Sequence, residues 1–299
     1  MNWQELKTSV AAGDVRSLAR AITVVENDLD GYFEFLKELV PQNIPIIGIT
    51  GPPGAGKSTL VNSLIKEYSK EGKRIGVIAI DPTSPFHYGS LLGDRIRMVE
   101  HFTKPNVFIR SLATRGSLGG LSAKTIEITD VLKSFPFDII IVETVGVGQS
   151  EVEIVGLADV TILVLVPEAG DEIQGIKSGV MEIADVFVVN KADREGADVF
   201  VNNLKKMLHE KPADDHIALV VKTIASQNIG ADDLIEAIRL KAKHHQHTQK
   251  KGLLLAEKAF RLIQTEKMKS VNKKELIELI EREKDTADFN LYKTIEKYF

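Results

Sequence analysis

The sequence has 299 residues, of which 43% are hydrophobic and 27% are charged, with a formal net charge of −4 at pH 7. These values are ordinary for a globular protein, and the acidic balance argues against a nucleic-acid partner, which normally requires a basic surface. Cysteine is absent, which excludes disulfides, thiolate metal sites and cysteine nucleophiles.

The N-terminal region, residues 1–43, is expected to be a helical extension. Its apolar residues recur at three- and four-residue steps in two runs, which is typical of amphipathic helices. We expect Gly13 and Asp14 to separate two helices and Pro41 to end the second. This start is unlike a signal peptide, and no apolar stretch approaches the roughly 20 residues that cross a bilayer, so we expect a cytoplasmic protein with no membrane partner.

Residues 44–240 are expected to form one α/β domain. Short, β-branched, continuously apolar runs alternate there with helical stretches, at residues 44–50, 73–81, 106–110, 137–144, 160–166, 185–191 and 217–223. Such runs suit parallel strands that are covered by helices on both faces. The predicted fold class is therefore a three-layer α/β fold with a mostly parallel central sheet.

Residues 241–299 are expected to form a C-terminal helical arm. A polar, basic joint at residues 241–251 precedes two stretches with an apolar stripe and a charged face, at residues 253–263 and 273–283. The arm could dock on the core or pair with another subunit, and the sequence leaves both possibilities open.

A phosphate-binding motif, G-x-x-x-x-G-K-[ST], follows the first predicted strand and precedes a helical run. In this strand–loop–helix context the motif predicts a P-loop NTPase fold. Backbone N–H groups of the loop would face the phosphates, Lys57 would reach the β- and γ-phosphate oxygens, and the Ser58 hydroxyl would bind Mg²⁺. The predicted nucleotide-binding residues are Gly51, Pro52, Pro53, Gly54, Ala55, Gly56, Lys57, Ser58 and Thr59.

Two carboxylates end predicted strands, where ligands bind in open α/β sheets. Asp81 and Glu143 are therefore candidate magnesium acids, with Glu143 in the Walker B position, although either carboxylate could instead cap a helix. Asp94 is a further candidate that equally fits the N-cap of the following helix. Gly146 could offer its N–H to the γ-phosphate, which would make the segment after it a switch.

A base-reading motif, Asn190-Lys191-Ala192-Asp193, follows the sixth predicted strand. The Asp193 carboxylate can accept both the ring N–H and the exocyclic amine of guanine, and adenine offers neither. Lys191 can lie over the base, and Asn190 can tie the loop down. Ala225 and Ser226 follow the last strand and are expected to touch the base through backbone groups. The predicted ligands are GTP and GDP with Mg²⁺.

Several long motifs in order, among them GPPGAGKSTL, LLGDRIRM, ETVGVGQSE and PEAGDEIQGIK, resemble the MeaB/ArgK-type GTPases over residues 10–240. The resemblance implies a homodimeric GTPase that assists an adenosylcobalamin-dependent acyl-CoA mutase, notably methylmalonyl-CoA mutase. It implies that Asp81 and Asp94 are magnesium or first-switch acids, and that a second switch surrounds Gln149. It also implies a third switch with Lys177, which would respond to nucleotide and mutase together.

Hydrolysis is expected to be slow without a partner, because no arginine is clearly placed to act as a finger. Gln149 could orient the attacking water or could be a solvated loop residue. A metal-insertion GTPase is an alternative, with His244, His245 and His247 as ligands, although a polar joint explains these histidines more simply. A kinase that transfers the γ-phosphate is a second alternative. A membrane-targeting GTPase is disfavoured because the five methionines are scattered.

Overall fold

The structure is a computed structural model that describes most of the chain. The described residues are 2–81, 99–101, 103–113, 123–144, 146, 154–170, 184–209, 218–245, 250–268, 270–286 and 288–298.

A seven-stranded, entirely parallel sheet forms the centre of the described structure. Its strands are β1 (Ile46–Thr50), β2 (Ile75–Asp81), β3 (Val107–Ala113), β4 (Ile139–Glu143), β5 (Val160–Leu165), β6 (Val186–Val189) and β7 (Leu219–Lys222). The order across the sheet is β3-β2-β4-β1-β5-β6-β7. All seven predicted strands are present, which confirms the predicted α/β fold class. The central strands are buried along their whole length, as their continuous apolar runs predict.

The described helices are α1 (Trp3–Ala11), α2 (Val15–Glu26), α3 (Tyr32–Glu38), α4 (Lys57–Lys70), α5 (Ala123–Lys133), α6 (Ala197–His209), α7 (Ala231–His245), α8 (Lys250–Met268), α9 (Lys273–Glu283) and α10 (Leu291–Ile295). Helices α1 to α7 cover both faces of the sheet. Helices α4 and α7 pack with one set of alternating strand residues, and α1, α2, α3 and α5 pack with the opposite set. The apolar face of α6 packs on β5 and β6. The result is three layers, helices on either side of the sheet.

Three aspartates complete the hydrogen bonding where strands begin. Asp159 Oδ2 accepts the N–H of Ile46 at 2.8 Å, and Asp185 Oδ2 accepts the N–H of Thr161 at 2.8 Å. Asp138 Oδ2 accepts the N–H of Arg74, just before β2, at 2.7 Å. In each case the carboxylate accepts a hydrogen bond from a backbone N–H of the neighbouring strand. At the start of a strand, this N–H would otherwise lack a protein partner. These contacts fix the register at the end of the sheet away from the phosphate loop.

The N-terminal region differs from its prediction in one respect. Asp14 does begin a helix, since its carboxylate accepts the N–H of Ser17 at 2.8 Å, but the helix does not continue to Pro41. It ends at Glu26, and α3 starts at Tyr32. The reason is the backbone between them, where Asp28 and Gly31 have φ angles of 50° and 82°, values outside the right-handed helix.

The chain divides into two compact units, Met1–Leu254 and Leu255–Phe299. The predicted limits at residues 43 and 240 stay predictions. Residue 240 itself lies within α7, so most of the predicted polar joint is helical. The second unit contains α9 and α10, and none of their residues is buried. None of the described helices combines the length and the apolar character that a membrane span requires.

Candidate functional site

The loops that follow β1, β4, β5, β6 and β7 lie at one edge of the sheet, because all of these strands run in the same direction. β1 and β4 are neighbours, with Ile49 paired to Glu143. This register brings the loop after β1, residues 51–56 (the phosphate loop), beside the end of β4.

The phosphate loop wraps around the side chain of the lysine that follows it. Lys57 is buried, and its Nζ donates to the carbonyl oxygens of Gly51 and Pro52 at 2.8 and 3.1 Å. Lys57 also begins α4, so the helix N-terminus and its backbone dipole point toward the loop. Pro53 and Gly54 are exposed at the outer rim, whereas Ala55 is buried. The arrangement collects positive charge and N–H donors where the motif predicts phosphate binding.

Ser58 and Glu143 form the oxygen-rich part of this site. The Ser58 hydroxyl donates to Glu143 Oε1 at 2.7 Å, and both side chains are buried. Two hard oxygen ligands beside a phosphate loop suit Mg²⁺, which takes one or two protein oxygens and keeps waters. Asp81 is the last residue of β2, as predicted, but its side chain lies outside the described part of the structure.

A buried hydroxyl pair, which the motifs did not reveal, joins the ends of β1 and β4. Thr144 Oγ1 donates to Thr50 Oγ1 at 2.9 Å, and the Thr144 N–H donates to the Ile49 carbonyl at 3.0 Å. Both threonines are almost fully buried. The pair holds the first residue after Glu143 against the strand that leads into the phosphate loop.

Gly146 lies directly against the phosphate loop. A Cβ at this position would stand 1.9 Å from the carbonyl oxygen of Gly51 and 2.4 Å from Lys57 Nζ. Its φ angle is 79°, which L-amino acids other than glycine adopt only with strain. Position 146 therefore requires glycine for both space and backbone conformation.

The base-reading motif is tied to the phosphate loop through Asn190. Its Nδ2 donates to the Ala55 carbonyl at 2.8 Å, while its Oδ1 accepts from Thr223 Oγ1 at 3.0 Å and from the Ala225 N–H at 3.1 Å. Asn190 is 2% exposed, so these hydrogen bonds are made away from water. One side chain thus joins the loops after β1, β6 and β7.

The residues that follow Asn190 in the base-reading motif are more exposed than Asn190 itself. Asp193 and Ser226 are exposed, and Lys191 has a φ angle of 57° that turns the backbone sharply after Asn190. Arg194 forms an ion pair with Glu168, in the turn after β5. The Arg194 guanidinium holds the pKa of Glu168 below its usual value, and the charge of Lys191 acts in the same direction. This ion pair was also not predicted, because the motif PEAGDEIQGIK, which contains Glu168, does not indicate a partner at position 194.

Some predicted residues lie outside the described part of the chain. These are Asp94, Gln149, Lys177 and His247, together with the side chains of His244 and His245. Their roles stay predictions. Among the described residues, no group of three or more His, Cys, Asp or Glu side chains could hold a metal ion.

Comparison with known proteins identifies the family of the chain. A family model described as "Methylmalonyl Co-A mutase-associated GTPase MeaB" matches residues 18–285. A protein of Pyrococcus abyssi that is named as a GTPase is 51% identical over 265 residues, covering 86% of this chain and 81% of the relative. The Mus musculus protein "Methylmalonic aciduria type A homolog, mitochondrial" is 40% identical over 204 residues, covering 63% and 49% of the two chains.

Among solved structures, a crystal structure described as a LAO/AO transport system kinase superposes with a TM-score of 0.73, at 23% identity, and covers 99% of this chain and 96% of its own. At that identity the likeness shows the fold alone. The family match covers most of the chain and confirms the predicted resemblance. The chain therefore belongs to the MeaB family of methylmalonyl-CoA mutase-associated GTPases, and it is a GTPase of the P-loop type.

Proposed function

We propose that this GTPase is a chaperone that assists an adenosylcobalamin-dependent acyl-CoA mutase, of the methylmalonyl-CoA mutase type, in cofactor loading and protection. The observation that carries the proposal is the family match over residues 18–285, whose description names association with that mutase. The mouse relative bears methylmalonic aciduria in its name, which is consistent with such a partner.

Guanine recognition is assigned to Asp193, with Lys191 over the base and the backbone of Ala225 and Ser226 at the base edge. The hydrogen bonds of Asn190 support this assignment, because they hold the loops that carry these groups at a fixed distance from the phosphate loop. A carboxylate at position 193 accepts two N–H groups that guanine has and adenine lacks. The loops are therefore placed to bind the base and the phosphates of one nucleotide at the same time.

Phosphate chemistry is assigned to Lys57 and Gly146, with Gln149 as the residue that orients water. The proximity of the Gly146 backbone to Lys57 and to Gly51 supports a contact between the segment after β4 and the terminal phosphate. In such a reaction, water attacks the γ-phosphorus in line, the bond to the β–γ bridging oxygen breaks, and GDP and phosphate leave. Lys57 stabilises the charge that develops on the phosphate oxygens.

Ser58 and Glu143 are assigned to hold Mg²⁺, together with Asp81 and Asp94. The buried pair of oxygen ligands at 2.7 Å supports the first two assignments. The ion would neutralise phosphate charge when bound. The chain's own part is to keep the Glu143 carboxylate buried at the loop, where it lies at the end of β4 beside Ile49.

Turnover is proposed to be slow alone and faster with the mutase, through the segment that contains Lys177. The test is GTP hydrolysis by the full chain with and without a mutase of this class from the same organism. We expect stimulation well above the sum of the separate rates. Intact GTP binding with no stimulation by any acyl-CoA mutase of this class would contradict the chaperone role.

Two variants separate nucleotide recognition from coupling to the partner. Asp193→Asn should lose guanine preference and gain xanthine nucleotides, because xanthine offers an oxygen that an amide can meet. Lys177→Ala should keep intrinsic hydrolysis and lose the stimulation. A matched control is Lys206→Ala, an exposed lysine on α6 away from the motifs. Unchanged stimulation in Lys177→Ala would remove that residue from the proposal.

We also propose that the chain forms a homodimer in the cytoplasm, with the C-terminal arm at the interface. Exposed apolar side chains on the second unit, Phe260, Ile263 and Ile277, are compatible with such an interface. Sedimentation at micromolar concentration tests the dimer.

No specific observation favours metal insertion or phosphotransfer to a small molecule. Equilibrium dialysis with nickel or zinc tests the first alternative, and a phosphoacceptor assay tests the second.

A further inference from the structure

Helix α4 carries two buried polar side chains beyond the phosphate motif. Ser63 is 2% exposed and Glu67 is 7% exposed. They are four residues apart and therefore share one face of the helix. Buried polar groups of this kind are retained where they meet specific partners. Each has a partner in the loop after β7, residues 225–228 (the β7 loop), which carries the predicted contacts to guanine.

Ser63 reaches the first residue of the β7 loop. Its hydroxyl donates to the Ala225 carbonyl at 2.9 Å. The N–H of the same residue donates to Asn190 Oδ1 at 3.1 Å. Ala225 is therefore held on one side by the phosphate-loop helix and on the other side by the base-reading motif.

Glu67 reaches the last residue of the β7 loop. The Asn228 side-chain amide donates to Glu67 Oε1. Asn228 has a φ angle of 59°, and its N–H donates to the Ala225 carbonyl at 3.2 Å, so it closes the short helix of residues 225–227. Fixing this side chain fixes the end of the turn on which Ser226 lies.

The charge of Glu67 makes this contact directional. Lys70 Nζ donates to both carboxylate oxygens at 2.7 and 2.9 Å. The Lys70 hydrogen bond, with a smaller effect of Asn228, lowers the pKa of Glu67, so the group stays ionised at neutral pH. An ionised carboxylate only accepts hydrogen bonds, and the Asn228 amide must therefore present its NH₂ group and keep its oxygen turned away.

We propose that Ser63 and Glu67 are positioning residues for guanine recognition. They hold the β7 loop in the position where its backbone can donate to the 6-oxo group of the base. Because the Ala225 N–H already donates to Asn190, the N–H of Ser226 is the one that we assign to this oxygen. The inference rests on the proposed guanine contacts and is independent of the mutase. It gives α4 two functions, since its first turn binds the phosphates and its second and third turns, which carry Ser63 and Glu67, position the loop that meets the base.

The test uses two nucleotide analogues that separate the β7 loop from Asp193. In 6-thioguanosine diphosphate a sulfur, which is a weaker acceptor, replaces the 6-oxygen, and the groups that face Asp193 are kept. Inosine diphosphate keeps the 6-oxygen and lacks the exocyclic amine that faces Asp193. The affinity of each analogue relative to GDP, measured by calorimetry, therefore reports one of the two contacts.

We expect Ser63→Ala and Glu67→Met to reduce the discrimination against the thio analogue by about three- to tenfold, the scale of one hydrogen bond. Discrimination against inosine diphosphate should change by less than about twofold. Glu67→Gln keeps an acceptor oxygen and should restore most of the discrimination. Asn228→Gly, which keeps the backbone conformation and removes the amide, should reproduce Glu67→Met.

Glu71→Gln is the matched control, because Glu71 caps the C-terminal end of the same helix but pairs with Arg239 at the surface. It should behave as the wild type. The proposal is wrong if the wild type itself does not discriminate against the thio analogue, or if both discriminations fall together in the variants. It is also wrong if Glu71→Gln has the same effect as Glu67→Met. Absent mutase stimulation would contradict the chaperone role and leave these ratios unaffected.

Discussion

Replacing Asn190 by alanine tests how much of the nucleotide site is held by one side chain. Asn190→Ala removes one donor and one acceptor that together make three hydrogen bonds, to Ala55, Thr223 and Ala225. Each such bond contributes about 0.5–1.5 kcal/mol net, and buried partners that lose it cost more. The Thr223 hydroxyl can rotate to another acceptor, whereas the Ala225 N–H cannot. We therefore expect a loss of about 2–4 kcal/mol in the free energy of unfolding.

Urea unfolding without nucleotide measures this loss. The single tryptophan, Trp3, packs against Phe35 in the N-terminal helices, so its fluorescence and circular dichroism together test whether the transition is cooperative. Thr223→Val removes one of the three bonds without changing the side-chain size and should cost about 1 kcal/mol. If Asn190→Ala lies within about 0.5 kcal/mol of the wild type, these hydrogen bonds do not hold the site together. Equal losses in both variants would contradict the assigned share of each bond.

Three further changes test other parts of the described structure. Gly146→Ala places a methyl group on the Gly51 carbonyl and in a left-handed conformation, so single-turnover GTP hydrolysis should fall at least about tenfold while GDP affinity changes less than about threefold. Burial, with a smaller effect of Lys104, lowers the pKa of His101, so the unfolded chain takes up a proton near pH 6.5 before the folded chain does. The unfolding free energy should therefore fall as pH decreases from 7 to 5, and His101→Gln should flatten that dependence. Asp159→Ala should destabilise the fold by about 1–2 kcal/mol in urea titrations, with a smaller loss for Asp159→Asn, which keeps an acceptor for its strand partner.

The strands could be predicted from sequence because each central strand is a continuous apolar run, and burial on both faces of a parallel sheet requires that pattern. Their order could not. β4 lies between β2 and β1, and nothing in the residues of β4 distinguishes those neighbours from others. Pairing depends on how crossover helices pack, which is a property of the whole chain. The break between α2 and α3 was also missed, because neither Asp28 nor Gly31 excludes a continuous helix until its φ angle is known.

The site was predictable where chemistry imposes a motif and unpredictable where it depends on register. The spacing of Lys57 and Ser58 after a strand is set by phosphate geometry, so a local pattern sufficed. The hydroxyl pair of Thr50 and Thr144 joins residues 94 positions apart and exists because β1 and β4 are neighbours. The hydrogen bond of Ser63 was unpredictable for the same reason, because its partner Ala225 lies 162 positions away in the sequence.

These contacts also define where a nucleotide signal can begin. Glu143 and Thr144 are fixed to the phosphate loop and its strand by buried hydrogen bonds, and the base-reading motif is fixed to the same loop through Asn190. Breaking a buried polar pair leaves a desolvated group at a cost of about 1–3 kcal/mol, so these elements should keep their places as the nucleotide changes. Gly146 lies two residues beyond Thr144, and its backbone contacts the phosphate loop. It is the first described residue after the hydrogen-bonded residues Glu143 and Thr144. A change at the terminal phosphate should therefore act first on Gly146, while Glu143 and the base-reading motif stay where they are.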